Sequence, residues 1–143
     1  GEAAMSWETI QRGRNNHLVE VPGWTERPMV SMTKIGITIN AILLDALSLK
    51  AGDHVLVLID RAKYKIGLKI AETEEDRLGA FVLRKPSGKR NLGSKAMIVA
   101  CAKAVKAFPL ARGAYDAAMP NGSMVIEVQL PCPRLPVEPK PTS

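Results

Sequence analysis

The chain has 143 residues, of which 46% are hydrophobic and only 4% aromatic, and it carries a formal net charge of +6. That length fits one domain with an aliphatic interior, and no apolar run reaches the roughly 18 residues that a membrane-spanning helix needs. Two cysteines, Cys101 and Cys132, with His17 and His54 in unrelated segments, exclude a disulfide framework and offer no metal-ligand spacing. The basic balance favours anionic partners, nucleic acid first, and without an apolar span or a signal-peptide pattern a cytoplasmic protein is expected.

Gly1-Glu2-Ala3-Ala4 before Met5 reads as foreign to the natural chain, which would start at Met5. Residues 5–16 form a polar arm with one anchor, Trp7, and two cations, Arg12 and Arg14, beside Gly13, Asn15 and Asn16. Residues 17–21 alternate as a short strand halted by Pro22-Gly23, and residues 29–33 resume an extended run. Ile35, Ile37 and Ile39 alternate with Gly36 and Thr38, which is the pattern of a half-buried strand.

Asn40 then suits a helix N-cap, because its side-chain oxygen can accept an otherwise free backbone amide. The spacing of Ile42, Leu43, Ala46 and Leu47 predicts a helix over 41–49, with Gly52 as its stop. Residues 54–59 and 64–70 read as a hairpin turning at 60–63. Residues 72–77 are acidic and predict a solvated connector. A strand over 79–83 leads into the basic loop "RKPSGKRN". Ser94 should cap a second helix over 95–107, ended by Pro109. Asn121-Gly122 turns into a last strand over 123–130, and the Pro-rich residues 131–143 form a tail.

The resulting expectation is an α+β fold, a β-rich barrel with two short helices. An arm and first strand (1–28) precede two units of similar order, 29–71 and 72–130, in one globular domain. Each unit runs strand, loop, capping residue, apolar helix, turn and closing strand. Ile37, Ile39, Leu43, Leu47, Val55, Val57, Ile59, Ile98, Val125 and Ile126 are the expected core. Val125 and Ile126 must face opposite sides of their strand.

"ITINAILLDALSLKAGDHVLVLID" resembles the AbrB/MazE/SpoVT family of swapped-hairpin barrels over about 40 residues. Ile37-Thr38-Ile39 matches the family's apolar entry strand, Ala46-Leu47 its helix end and Gly52-Asp53 its turn. The resemblance implies a barrel closed by two such units and a DNA-binding regulator of the kind found in phages, plasmids and mobile elements. The chain departs from the family at Asn40, where proline is usual. It departs again at Ile35-Gly36 and Leu44-Asp45, where arginines are common. Closure by an internal second unit implies a monomer; exchange between chains implies a homodimer.

The strongest candidate site is the basic run Arg84, Lys85, Lys89, Arg90 and Lys95, just before the expected helix start, where flexible cations and free amides would suit phosphate. Arg12 and Arg14 are a second candidate, as an arm entering a groove. Trp7, Trp24 and Tyr64 could stack on bases, although scattered aromatics are more often anchors. The Gly-Lys pair in "RKPSGKRN" lacks the spacing and following hydroxyl of a nucleotide-phosphate loop. Glu72, Glu74, Glu75 and Asp76 lie in one exposed run, without the separated pair that acid–base catalysis needs, so no enzyme, cofactor or metal is expected. The competing reading is a protein-interaction module, an inhibitor or adaptor that uses a strand edge or the Pro-rich tail.

Overall fold

A computed structural model describes residues 21–86, 95–119 and 124–133. In chain order its elements are β1 (Met29–Met32), β2 (Ile37–Ile39), α1 (Ala41–Ala46), β3 (His54–Asp60), β4 (Lys65–Ile70), α2 (Glu74–Leu78), β5 (Phe81–Arg84), β6 (Met97–Val99), α3 (Ala102–Ala107), β7 (Gly113–Asp116) and β8 (Val125–Gln129). All strand pairs are antiparallel, in the order β7-β1-β2-β6-β5-β3-β4-β8. The sheet curls into a nearly closed barrel. Its two ends meet where Ala118, just past β7, exchanges backbone hydrogen bonds of 2.8 and 3.2 Å with Glu127 of β8. Closure removes the unpaired edges that an open sheet of this size would expose.

Alternation decides the inside. Val30, Met32, Ile37, Ile39, Leu83, Val99, Ile66, Leu68, Ile126 and Val128 point inward and are buried, while Ser31, Thr38, Arg84 and Glu127 stand on the outer side. Leu43 and Leu44 of α1 and Ala104, Val105 and Phe108 at α3 join this interior. As expected, Val125 and Ile126 face opposite sides, and Ile126 is the buried one. Leu47, Val57 and Ile98 are only half-buried, and Ile59 is exposed because it sits near the tip of the β3–β4 hairpin.

Several expected elements differ. Residues 97–99 are not helical; they form β6 between β2 and β5, and the helix begins only at Ala102. The apolar spacing of Met97, Ile98 and Cys101 suits a helix face, but Val99 fills the interior opposite Ile37 and Leu83 and fixes the segment as a strand. Cys101, not Ser94, precedes α3 and makes no side-chain cap; Ser94 lies outside the described residues. Three helices are therefore present among the described residues rather than two. The acidic connector contains α2, capped by Thr73, whose Oγ1 accepts from the Asp76 amide at 3.0 Å. Its first-turn Glu74, Glu75 and Asp76 complement the positive end of the helix dipole. Residues 17–20 of the expected strand 17–21, the turn at Asn121-Gly122 and most of the Pro-rich tail also lie outside the described residues, and Val21 is not in a strand.

The helix α1 ends earlier than expected for a local reason. Ser48 takes φ +54°, and its amide bonds to Asp45 at 3.2 Å while that of Leu49 bonds to Leu44 at 2.9 Å. This is a Schellman closure with serine where glycine is usual. Gly52 (φ +95°) belongs instead to the following turn, where the Asp53 amide returns to the Lys50 carbonyl at 3.1 Å.

Gly36 closes the two-residue β1–β2 turn, in which Thr33 and Gly36 exchange backbone bonds of 2.9 and 3.2 Å around Lys34-Ile35. A Cβ at Gly36 would collide with the Val99 carbonyl oxygen and stand 3.0 Å from both the Ala100 Cα and the Cys101 amide. These are backbone atoms that cannot rotate away. Gly36→Ala is therefore expected to lower stability by about 2 kcal/mol in urea unfolding. Gly52→Ala is the comparison: with nothing near the new methyl group it should lose only the positive-φ term, about 1 kcal/mol.

Asn40 is the buried polar group of the core, 0% exposed. Its Oδ1 accepts from the Leu43 amide at 3.0 Å, the expected N-cap, and also from the Met29 amide at 3.1 Å. Its Nδ2 donates to the carbonyls of Trp24 (2.8 Å) and Arg27 (2.6 Å). One side chain thus joins α1, β1 and the segment that enters the barrel.

Candidate nucleic-acid interface

The antiparallel pairing of Leu83 with Val99 and Arg84 with Ile98 makes the basic loop the connection of a β5–β6 hairpin, not the entry to a helix. The amides of a helix start are consequently not available beside it. What the hairpin does provide is convergence. Leu83 is buried, so Arg84 faces out, and pairing brings Lys85 and Lys95 to the same end of the two strands. Arg84, Lys85 and Lys95 are all exposed, and none forms an ion pair among the described residues. Lys89, Arg90, Arg12 and Arg14 lie outside the described residues.

Pairing with carboxylates separates the cations of the barrel. Arg27 binds Asp116 at 2.8 Å, and this hydrogen bond, with the attraction between the two charges, raises the guanidinium pKa. Lys65 lies 3.7 Å from Glu127 and Lys69 3.9 Å from Asp76. These pairs leave little field for an external anion, whereas the hairpin cations, like Lys50, Arg61, Lys63 and Arg77 elsewhere on the surface, form no ion pair among the described residues.

A second group was not expected. Lys34 sits at the β1–β2 tip, and Gly36 of that tip lies against Val99, Ala100 and Cys101 at the entry to α3. Lys103 and Lys106 follow on the outer side of α3. The register Met32 to Gly113 sets Arg112 beside Thr33, next to Lys34. All four cations are exposed, and none forms an ion pair among the described residues. Tyr115, whose hydroxyl donates to the Arg112 carbonyl at 3.4 Å, has its phenol pKa raised by burial and adds no negative charge. Part of this group leaves a trace in the sequence, since residues 77–115, which include Lys103, Lys106 and Arg112, hold nine Lys and Arg and no Asp or Glu, but nothing there joins them to Lys34.

Among the described residues, Trp24 and Tyr64 do not form a shared stacking surface. Tyr64 packs on Phe108, ring centroids 5.2 Å apart, and Trp24 is half-buried beside Asn40; Trp7 lies outside the described residues. On the outer side of β4, Gly67 leaves a shallow groove between Leu58 and Val125, rimmed by Lys65 and Glu127. No cluster of His, Cys, Asp and Glu among the described residues could hold a metal ion, and no described helix is long and apolar enough to cross a membrane. The chain matches no family model, no curated protein and no solved structure.

Proposed function

We propose that the protein binds nucleic acid, DNA first, as a regulatory protein without catalytic activity, using the β5–β6 hairpin as its main contact. The observation that carries this is the convergence of Arg84, Lys85 and Lys95 at one end of two paired strands, with Lys89 and Arg90 in the connection between them. Flexible cations at the end of these two wall strands exchange condensed counterions for protein charge. The AbrB-like pattern of residues 30–70 supports the barrel more than this function, because Ile35-Gly36 and Leu44-Asp45 stand where that family's arginines are common.

The strand order supports a second element of the proposal, that 29–71 and 72–130 are two copies of one unit. Exchanging β1 with β5, β2 with β6, β3 with β7 and β4 with β8 leaves every neighbour relation of the barrel unchanged. The β2–β6 register (Ile37 to Val99, Ile39 to Met97) and the β4–β8 register (Lys65 to Gln129, Lys69 to Val125) are each consistent with such an exchange, both pairs being antiparallel and in step along their length. A single chain then closes its own barrel, and the expected state in light scattering is a monomer.

The test is binding to a 20-base-pair duplex as salt is varied. Arg84, Lys85, Lys89 and Arg90 changed together to Ala should leave thermal unfolding unchanged and weaken binding. The log–log salt slope should fall by about 0.9 for each phosphate that the variant no longer neutralises. Glu72, Glu74 and Glu75 changed to Gln should leave affinity the same or slightly higher. Absence of salt-sensitive binding by the unaltered protein refutes the proposal. The protein-interaction reading would then lead, with Leu58 (43% exposed) at the Gly67 groove as its first surface.

A further inference from the structure

Resting on that reading, we infer that the duplex also contacts the second basic group, Lys34, Lys103, Lys106 and Arg112, so that it lies across the outer side of β6, β2, β1 and β7. Three observations support this path. The two groups occupy opposite ends of the β2–β6 pair: Lys95 precedes β6 and the α3 entry follows it. Their separation along the chain, from Lys95 to the α3 entry, is about 20 Å at strand rise. That span covers about six base pairs at a rise of about 3.4 Å each.

The surface between them is uncharged. Arg84 pairs with Ile98, Ile98 with Thr38, Thr38 with Ser31 and Ser31 with Ala114, and this row is half-buried after Arg84. No carboxylate stands on it to repel a phosphate chain. Finally, the only acidic side chain on the strands of this path among the described residues, Asp116, lies at the end of β7 away from Arg112 and is bound to Arg27. Cations at both ends, a neutral floor and a neutralised carboxylate suit a polyanion longer than the hairpin alone could hold.

The exposed Ile35 (63%) and Leu110 (78%) stand among these cations and raise an anionic lipid surface as the competing partner. The path favours the duplex, because a lipid surface would meet the tip alone and leave the floor and the hairpin outside it.

The experiment compares three proteins on a 20-base-pair duplex and on vesicles containing about 30% phosphatidylserine, an anionic surface of the kind that attracts basic clusters. They are the full chain, the variant with Lys34, Lys103, Lys106 and Arg112 all changed to Ala, and the hairpin variant described above. Thermal unfolding controls the fold of each. The end-group variant should bind duplex roughly tenfold more weakly or worse at about 0.1 M salt, with a salt slope smaller by about 0.9 for each phosphate left without its cation. Ile35→Ser with Leu110→Ser should leave duplex affinity within about twofold, since neither side chain carries charge. If the hairpin variant loses binding but the end-group variant keeps both affinity and slope, the inference fails and the proposed function stands. If the unaltered chain does not bind duplex, both fail. Loss of vesicle binding in the end-group variant, with duplex binding intact, also overturns the inference and assigns the group to lipid.

Discussion

Asn40→Ala should be the most damaging single substitution outside the hydrophobic interior, lowering stability by about 4 kcal/mol. The N-cap bond to the Leu43 amide accounts for about 1 kcal/mol. The rest comes from groups left without a partner. The Met29 amide loses its acceptor in a buried setting, and the Trp24 and Arg27 carbonyls lose their donor. Each such group costs about 1–3 kcal/mol when water cannot replace the partner.

Asn40→Asp separates the accepted bonds from the donated ones. It keeps the acceptor for Leu43 and Met29, but turns the donated bonds into contacts between a carboxylate oxygen and two carbonyl oxygens. Burial and these contacts favour the protonated acid, so its folded pKa rises above the unfolded one. This variant should then be more stable near about pH 3 than at neutral pH, losing stability as pH rises past the ordinary Asp range. Urea unfolding of both variants at the two pH values checks this. Equal behaviour of Asn40→Asp and the unaltered chain at neutral pH would show that the donated bonds contribute nothing.

Phe108→Ala should cost a comparable amount, about 4 kcal/mol, by a different mechanism. Phe108 is 1% exposed, follows α3 at its C-cap and packs on Tyr64 across the β3–β4 hairpin. Truncation removes its apolar area and the aromatic pair, and leaves a cavity between α3 and the barrel wall. The small helix cannot close this cavity, because its own Ala104 and Val105 are already seated in the interior. The neighbouring Leu110, 78% exposed, is the control, and Leu110→Ala should change stability by less than about 0.5 kcal/mol. Since domains of this size are stable by about 5–15 kcal/mol, either core change removes a large share of the total.

The legible parts of this protein share a property: their signal is local. Asn40 can be read as a cap because a cap is defined within four residues, and the Ile37–Ile39 and 64–70 strands because alternation needs only neighbours. The basic run from Arg84 to Lys95 is visible for the same reason. Residues 97–107 show the limit. Met97, Ile98, Cys101 and Val105 satisfy a helical spacing as well as the short strand and helix that form. The choice lies with Ile37 and Leu83, which flank Val99 from elsewhere in the chain. Short apolar segments carry no periodicity long enough to separate the two states, so their partners decide.

The second role of Asn40 is equally hidden in the sequence, since its Nδ2 reaches carbonyls 13 and 16 positions away. So is the group at Lys34, Lys103, Lys106 and Arg112, whose members come from a turn, a helix and a loop. The aliphatic core, the positive charge, the acid-free stretch 77–115 and the hairpin strands are encoded in composition and near-neighbour spacing. Which cations converge and which are neutralised follows from the folded barrel alone. Ion pairing and shared surface depend on distances in space, and barrel closure sets those between residues far apart in the chain.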